Sequence, residues 1–175
     1  FEEFIVEYQK KIALPLTFYS SPHTLTNEKL QVLFDNNVKV DWMKLGLETA
    51  SKRLNKEVYK RPFRRGSLMD KILLIASHGI PLNLDMILQD PYQRYSDLVE
   101  NVEFFRDLGQ KFKGRESLTG LVTLNQFSMK FYPGTEQYDM AVADGFVDEG
   151  YVERILLKRS KYNKGVFTPY GVTML

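Results

Sequence analysis

Cysteine is absent from this 175-residue chain. That excludes a disulfide framework, a zinc ribbon and a thiol nucleophile. Long apolar runs are missing too: the longest, Ile72 to Ala76, falls far short of the roughly 18 residues needed to span a bilayer, which excludes a membrane-spanning role. Histidine is scarce, and the 2 present, His23 and His78, lie far apart without a second ligand at metal spacing. They read as loop or helix-end residues, and no metal or cofactor is expected. No GxxxxGK[ST], GxGxxG, HExxH or GxSxG occurs, so the common nucleotide and hydrolase signatures are lacking. No internal repeat or low-complexity segment is visible. What is present is 43% hydrophobic, 13% aromatic and 26% charged residues, the balance of a globular domain with a true core. Starting at Phe1 and stopping at Leu175, the chain reads as a fragment of a larger protein.

The net charge is only +2, but the charges are unevenly placed. Segments 52–65 and 154–164 hold 12 of the 24 Lys and Arg against one acid, Glu57. Residues 85–107 are acidic in balance. A charge run is often only a solvated face. The alternative for the first run is that Lys52, Arg53, Lys56, Arg61, Arg64 and Arg65 form a nucleic-acid contact surface.

Helical spacing dominates the first hundred residues. Phe1, Phe4, Ile5, Tyr8 and Ile12 predict a helix stopped by Pro15. A second is expected after Thr24 or Thr26, through Leu30, Leu33 and Phe34. A third is expected after Asp41, through Trp42, Leu45, Leu54 and Val58, with Gly46 as a weak point. Pro62 to Gly66 reads as a linker, dividing a helical region 1–62 from a second region 67–175. Ser67 is the expected cap of a helix Leu68 to Ser77. A short helix from Pro81 to Leu88 follows, then a longer one from Tyr92 to Leu108 with Tyr95, Leu98, Val99, Val102 and Phe105 facing inward. These three helices read as a bundle or as a helix-turn-helix unit.

Thr123 and Gln126 have capping-box spacing for a helix through Leu124, Phe127 and Phe131. Thr135 caps the next, Glu136 to Glu149, which ends at Gly150. The run YVERILLK, the loop RSKYNKG and the segment VFT then predict a hairpin from Tyr151 to Thr168. With GFVDEGYVER, RSKYNKG and VFTPYG in that order, the C-terminal half resembles the winged-helix DNA-binding family. The fold class expected is therefore mainly α with a small β-hairpin, a helical N-terminal part followed by a winged helix, with tandem helix-turn-helix units as an option.

The resemblance implies that Glu136 to Glu149 is a recognition helix, with Gln137 and Tyr138 at its start able to read bases, and that Lys158, Arg159, Lys161, Tyr162 and Lys164 form a basic wing on phosphate. Glu136, Asp139, Asp144, Asp148 and Glu149 depart from that pattern, since they repel phosphate. The function expected is a non-catalytic fragment binding double-stranded DNA, cytoplasmic or nuclear. The alternatives are a winged-helix protein assembly module with a protein partner on the acidic face, and the target-recognition part of a nuclease or replication initiator.

Overall fold

The structure, a computed structural model, describes residues 1–157. α1 (Glu2–Lys11) places Glu2 and Glu3 in its first turn and Lys10 and Lys11 in its last, which complements the helix dipole. β1 (Leu16–Ser20) follows. α2 (Asn27–Asp35) is capped as expected, the Thr26 hydroxyl accepting from the Lys29 amide. Residues 40–48, expected to open a third helix, instead form β2 (Val40–Glu48). The reason is a strict two-residue alternation: Met43, Leu45 and Leu47 are buried while Lys44, Gly46 and Glu48 are turned the other way. Only a short π-helical turn, Leu54–Val58, remains of the expected helix.

α3 (Arg65–Ser77) is preceded by an extended Arg64, so its start lies before the expected cap Ser67. The short helix expected from Pro81 is β3 (Leu82–Gln89), where Leu82, Leu84 and Met86 alternate with Asn83 and Asp85. α4 (Tyr95–Lys111) then runs two residues past Gly109, its expected cap. A 3-10 turn, Glu116–Leu121, leads to β4 (Val122–Ser128), in place of the helix expected from the Thr123 and Gln126 spacing. α5 (Glu136–Ala143) is capped by Thr135, whose hydroxyl accepts from the Tyr138 amide. It stops well short of Glu149, at Gly145 with φ +78°.

Two corrections to the expected architecture follow. The element order over 67–108 is helix, strand, helix, so no helix-turn-helix unit exists there. Tyr151 is helical and Val152–Leu157 is a π-helical segment, which removes the first strand of the expected wing. The remainder of that hairpin, with Lys158, Arg159, Lys161, Tyr162 and Lys164, lies outside the described residues. The fold is α/β, with a parallel sheet, and not mainly α with a hairpin.

The sheet has the order β1-β2-β3-β4, the order of the chain itself. β1 with β2 and β2 with β3 are parallel. β4 runs the same way, because Asn83 bonds Thr123 and, two residues on, Asp85 bonds Asn125. Parallel neighbours in chain order require one crossover helix each, and right-handed crossovers put all of those helices on one face. The core confirms it: Met43, Leu45, Leu47, Leu82, Leu84 and Met86 from the sheet join Leu30 and Leu33 of α2, Ile72 and Ile75 of α3, and Phe104 and Leu108 of α4. This singly wound arrangement is that of a β/α barrel. Four strands do not close one, so the opposite face of the sheet has no partner layer within that core.

The described residues form two compact units, residues 1–88 with 92–127, and residues 89–91 with those from 128 on. The expected boundary at 62–67 falls inside the first. In the second, the Tyr151 hydroxyl accepts from the Phe131 amide at 2.8 Å, and Phe131, Ala141, Val147 and Tyr151 are buried. No helix among the described residues is long and apolar enough to cross a membrane.

Candidate functional site

The alternation along β2 and β3 projects the other side chains onto the face opposite the layer of α2, α3 and α4. Register brings them into rows: Tyr19 beside Lys44, Lys44 beside Asn83, and Gly46 beside Asp85. The Lys44 ammonium forms an ion pair with Asp85 at 3.1 Å and lies over the rings of Tyr19 and Phe127, 5.8 and 5.3 Å from their centroids. Asp85 also accepts from the Asn125 amide at 3.0 Å. The Tyr19 ring meets Trp42 edge-on, with centroids 5.2 Å apart. Tyr19 is 71% exposed and Phe127 45%, so these rings border open space.

Glu48 stands at the C-terminal end of β2, the end at which barrel folds place their chemistry. Its φ is +61°, in the left-handed region that a residue with a Cβ enters only at a cost. The sheet register shifts between Gly46 and Glu48, and the turned backbone folds the carboxylate back over Gly46. A Cβ on Gly46 would lie 2.6 Å from Glu48 Oε1, so a side chain here would push the carboxylate from its place. Arg61 holds the group from the far side, with Nη1 3.2 Å from Oε1, and its Nη2 donates to the Gly46 carbonyl at 3.4 Å. Burial pushes the Glu48 carboxyl above the usual carboxylate range, and the Arg61 charge only partly draws it back.

The loop behind Glu48 is held by buried polar groups. The Asn101 side-chain oxygen accepts from the Ala50 amide at 2.7 Å and from the Thr49 hydroxyl at 3.1 Å. Ser51 donates to Asp97 at 2.5 Å, and the Arg53 guanidinium bonds both Asp97 oxygens and the Tyr92 carbonyl. Every member except Arg53 is at least nine-tenths buried among Thr49, Ser51, Asp97 and Asn101. Burial drives the Asp97 carboxyl up, but bonds from Arg53, Ser51 and the Arg94 amide outweigh this and hold it below its ordinary value.

The basic residues singled out in the sequence are divided by these contacts. Arg53 pairs with Asp97, Arg61 with Glu48, and Arg65 with Asp107 at 2.6 Å, whereas Arg64 is exposed. Lys52, Lys56 and Arg61 come together with Lys60 along one cleft. Gln137 and Tyr138 are half-buried on the first turn of α5, Tyr138 with its ring 6.5 Å from that of Tyr151. Lys44, Glu48, Asp85 and Asn125 were missed by the helical reading. The signal that exposes them is the alternation of Lys, Gly and Glu with Met, Leu and Leu in 43–48, and of Asn and Asp with Leu and Met in 82–86. Among the described residues no three His, Asp or Glu side chains gather as a metal site.

No protein-family model matches the chain, and no curated protein matches it. Among the solved structures similar to the chain is the cobalamin-dependent S-adenosylmethionine radical enzyme OxsB with aqua-cobalamin and S-adenosylmethionine bound, at a TM-score of 0.57 and 16% identity over 82% of this chain. The chain spans 25% of the length of that enzyme chain. At this identity the likeness establishes the fold. It overturns the winged-helix resemblance and the DNA-binding and assembly functions drawn from it, and agrees with the α/β fold built on a four-stranded parallel sheet.

Proposed function

We propose that the sheet face opposite α2, α3 and α4 is a small-molecule site of an enzyme that uses S-adenosylmethionine, with this chain supplying one part of that enzyme. The observation that carries the reading is the row Lys44, Asp85, Asn125 and Glu48, polar side chains set on adjacent parallel strands and bordered by Tyr19, Trp42 and Phe127. The similar fold of an S-adenosylmethionine enzyme supports it.

The donor set matches the ligand. A carboxylate at the end of a strand accepts from ribose hydroxyls, as it does in dinucleotide sites. Glu48, fixed over Gly46, has that position. Lys44 offers an ammonium to the ligand carboxylate, and Asp85 a carboxylate to its ammonium. When bound, S-adenosylmethionine supplies carbon–sulfur bonds activated by the sulfonium. Lys44 is aimed by Asp85 and the two flanking rings, and Glu48 can hold or accept a proton more readily than an exposed glutamate. A metal cofactor finds no such match. The chain has no thiolate to offer, His78 lies flat on Phe34 and bonds the Leu74 carbonyl, and His23 contacts Ser21.

Calorimetric titration of the full chain with S-adenosylmethionine tests this. Wild type should bind, and Glu48→Gln and Gly46→Ala should each weaken binding at least about tenfold, a loss of about 1.4 kcal/mol. Gly46→Ala should leave the melting temperature within a few degrees of wild type, since the clash falls on the movable end of a side chain and alanine restricts the unfolded chain. Absence of binding by wild type, or variants that bind equally well, would refute the proposal.

A further inference from the structure

The stretch from Lys52 to Phe63 does more than carry charge. Ser51 receives the Leu54 amide on its hydroxyl and starts a helical turn that widens to π geometry over Leu54–Val58. Leu54, Asn55 and Val58 are buried, which leaves Lys52 and Lys56, four residues apart, on the exposed side. Lys60 takes φ +51°, reversing the chain so that Arg61 returns to β2. The result is a cleft of about 480 Å³ lined by Lys52, Asn55, Lys56, Lys60, Arg61, Pro62 and Phe63.

Four of these seven lining residues are cations and none is an acid. Like charges at helical spacing repel, and a concave wall concentrates their field, so the cleft attracts an anion even with Arg61 paired to Glu48. π-turns and left-handed residues with a Cβ both gather at functional sites, and this short segment has one of each. The cleft volume lies in the range of small-ligand sites, roughly 300–1,000 Å³. Phe63 and Pro62 add an apolar wall. Among the described residues of 52–65, the concave shape and the pairing of Arg53 and Arg65 with Asp97 and Asp107 leave no extended basic track for a polynucleotide backbone.

We infer that this cleft binds the polyphosphate of a mononucleotide-sized molecule, with Lys52, Lys56, Lys60 and Arg61 on the phosphates and Phe63 against the organic part. Arg61 belongs to both regions, since the same guanidinium lines the cleft and holds Glu48. A ligand anion in the cleft therefore competes with Glu48 for Arg61, which couples the cleft to the sheet face.

The inference does not depend on the reading of the sheet face, and its test uses different ligands. The full chain is titrated with inorganic pyrophosphate and with ADP at low and at high salt. Both should bind with Kd below about 1 mM at low salt, ADP more tightly than pyrophosphate, and both more weakly at high salt. The triple variant Lys52→Gln, Lys56→Gln, Lys60→Gln should lose at least tenfold in affinity for both, and the single variant Lys56→Gln should lose part of it should the triple variant fold poorly. A control of equal charge change, Lys10→Gln, Lys11→Gln, Lys113→Gln, should keep wild-type affinity. Loss of affinity in the control equal to that in the cleft variants would overturn the site, as would failure of wild type to bind pyrophosphate. ADP no tighter than pyrophosphate would overturn the assignment of the organic part to Phe63. Pyrophosphate binding without S-adenosylmethionine binding would uphold the cleft while removing the sheet-face proposal, and the reverse result would do the opposite.

Discussion

Asp97 is 1% exposed and accepts from Ser51, from the Arg94 amide and from Arg53, whose side chain remains 20% exposed. A carboxylate this deep is tolerated because every oxygen is bonded. Removing it leaves the Arg53 charge half-buried and two further donors without their acceptor. Asp97→Ala is therefore expected to cost about 3 kcal/mol in urea unfolding. The pH dependence has a definite sign. Asp97 is held below its ordinary value, so its contribution is complete above about pH 4 and disappears as pH falls through the folded-state value. The stability gap between wild type and Asp97→Asn should narrow as pH falls below about 4. A gap that stays constant from pH 7 to pH 3 would show that the ionised form is not what the loop depends on.

At the scale of elements, α4 inverts the usual reading of an amphipathic helix. Apolar spacing nominates Tyr95, Leu98, Val99, Val102 and Phe105 for the interior, but Tyr95 is 82% and Val102 69% exposed. The buried stripe is Asp97, Asn101, Phe104 and Leu108, one step of three or four at a time. Two polar residues sit in it because the loop after β2 presents free backbone and hydroxyl donors there, and each finds its acceptor on α4. Asn101→Ala, which strands the Ala50 amide and the Thr49 hydroxyl, should destabilise by about 1–3 kcal/mol. Val102→Lys should change stability by no more than about 0.5 kcal/mol. Chemical denaturation of the two variants checks this, and the opposite ranking would restore the apolar face to the interior.

For the molecule as a whole, the sheet order makes β1 a boundary strand and β2 a strand with neighbours on both sides. Unpaired edges open at lower free energy than enclosed strands. Amide exchange should therefore be slowest in β2 and β3, around Leu45, Leu47 and Leu84, and faster in β1 at Thr17 and Tyr19. Equal protection of β1 and β2 would mean that β1 is covered by a further strand, as it would be in a closed barrel. The same openness leaves Lys44, Asp85 and Asn125 on one side of the sheet, where the proposed ligand would meet them.

Local chemistry alone determined α1, α2, α4 and the start of α5. Their hydrogen bonds close within four residues, and their caps, Thr26 and Thr135, lie next to the amides they satisfy. The concentration of cations in 52–65 and the lack of thiolates were equally plain in the amino-acid sequence. The strands were not, because runs such as Met43 to Glu48 and Leu82 to Gln89 are short, rich in Leu and Met, and compatible with a helical spacing if single residues are chosen from them. Their alternation becomes decisive only when a neighbouring strand supplies hydrogen bonds and a helical layer supplies a face to bury against. Tertiary structure also decided which cations are consumed, since Arg53 and Arg65 meet acids on α4 that lie 44 and 42 residues away. A side chain's charge is written in the sequence, but its partner depends on contacts between distant segments, and those exist only once the sheet has formed.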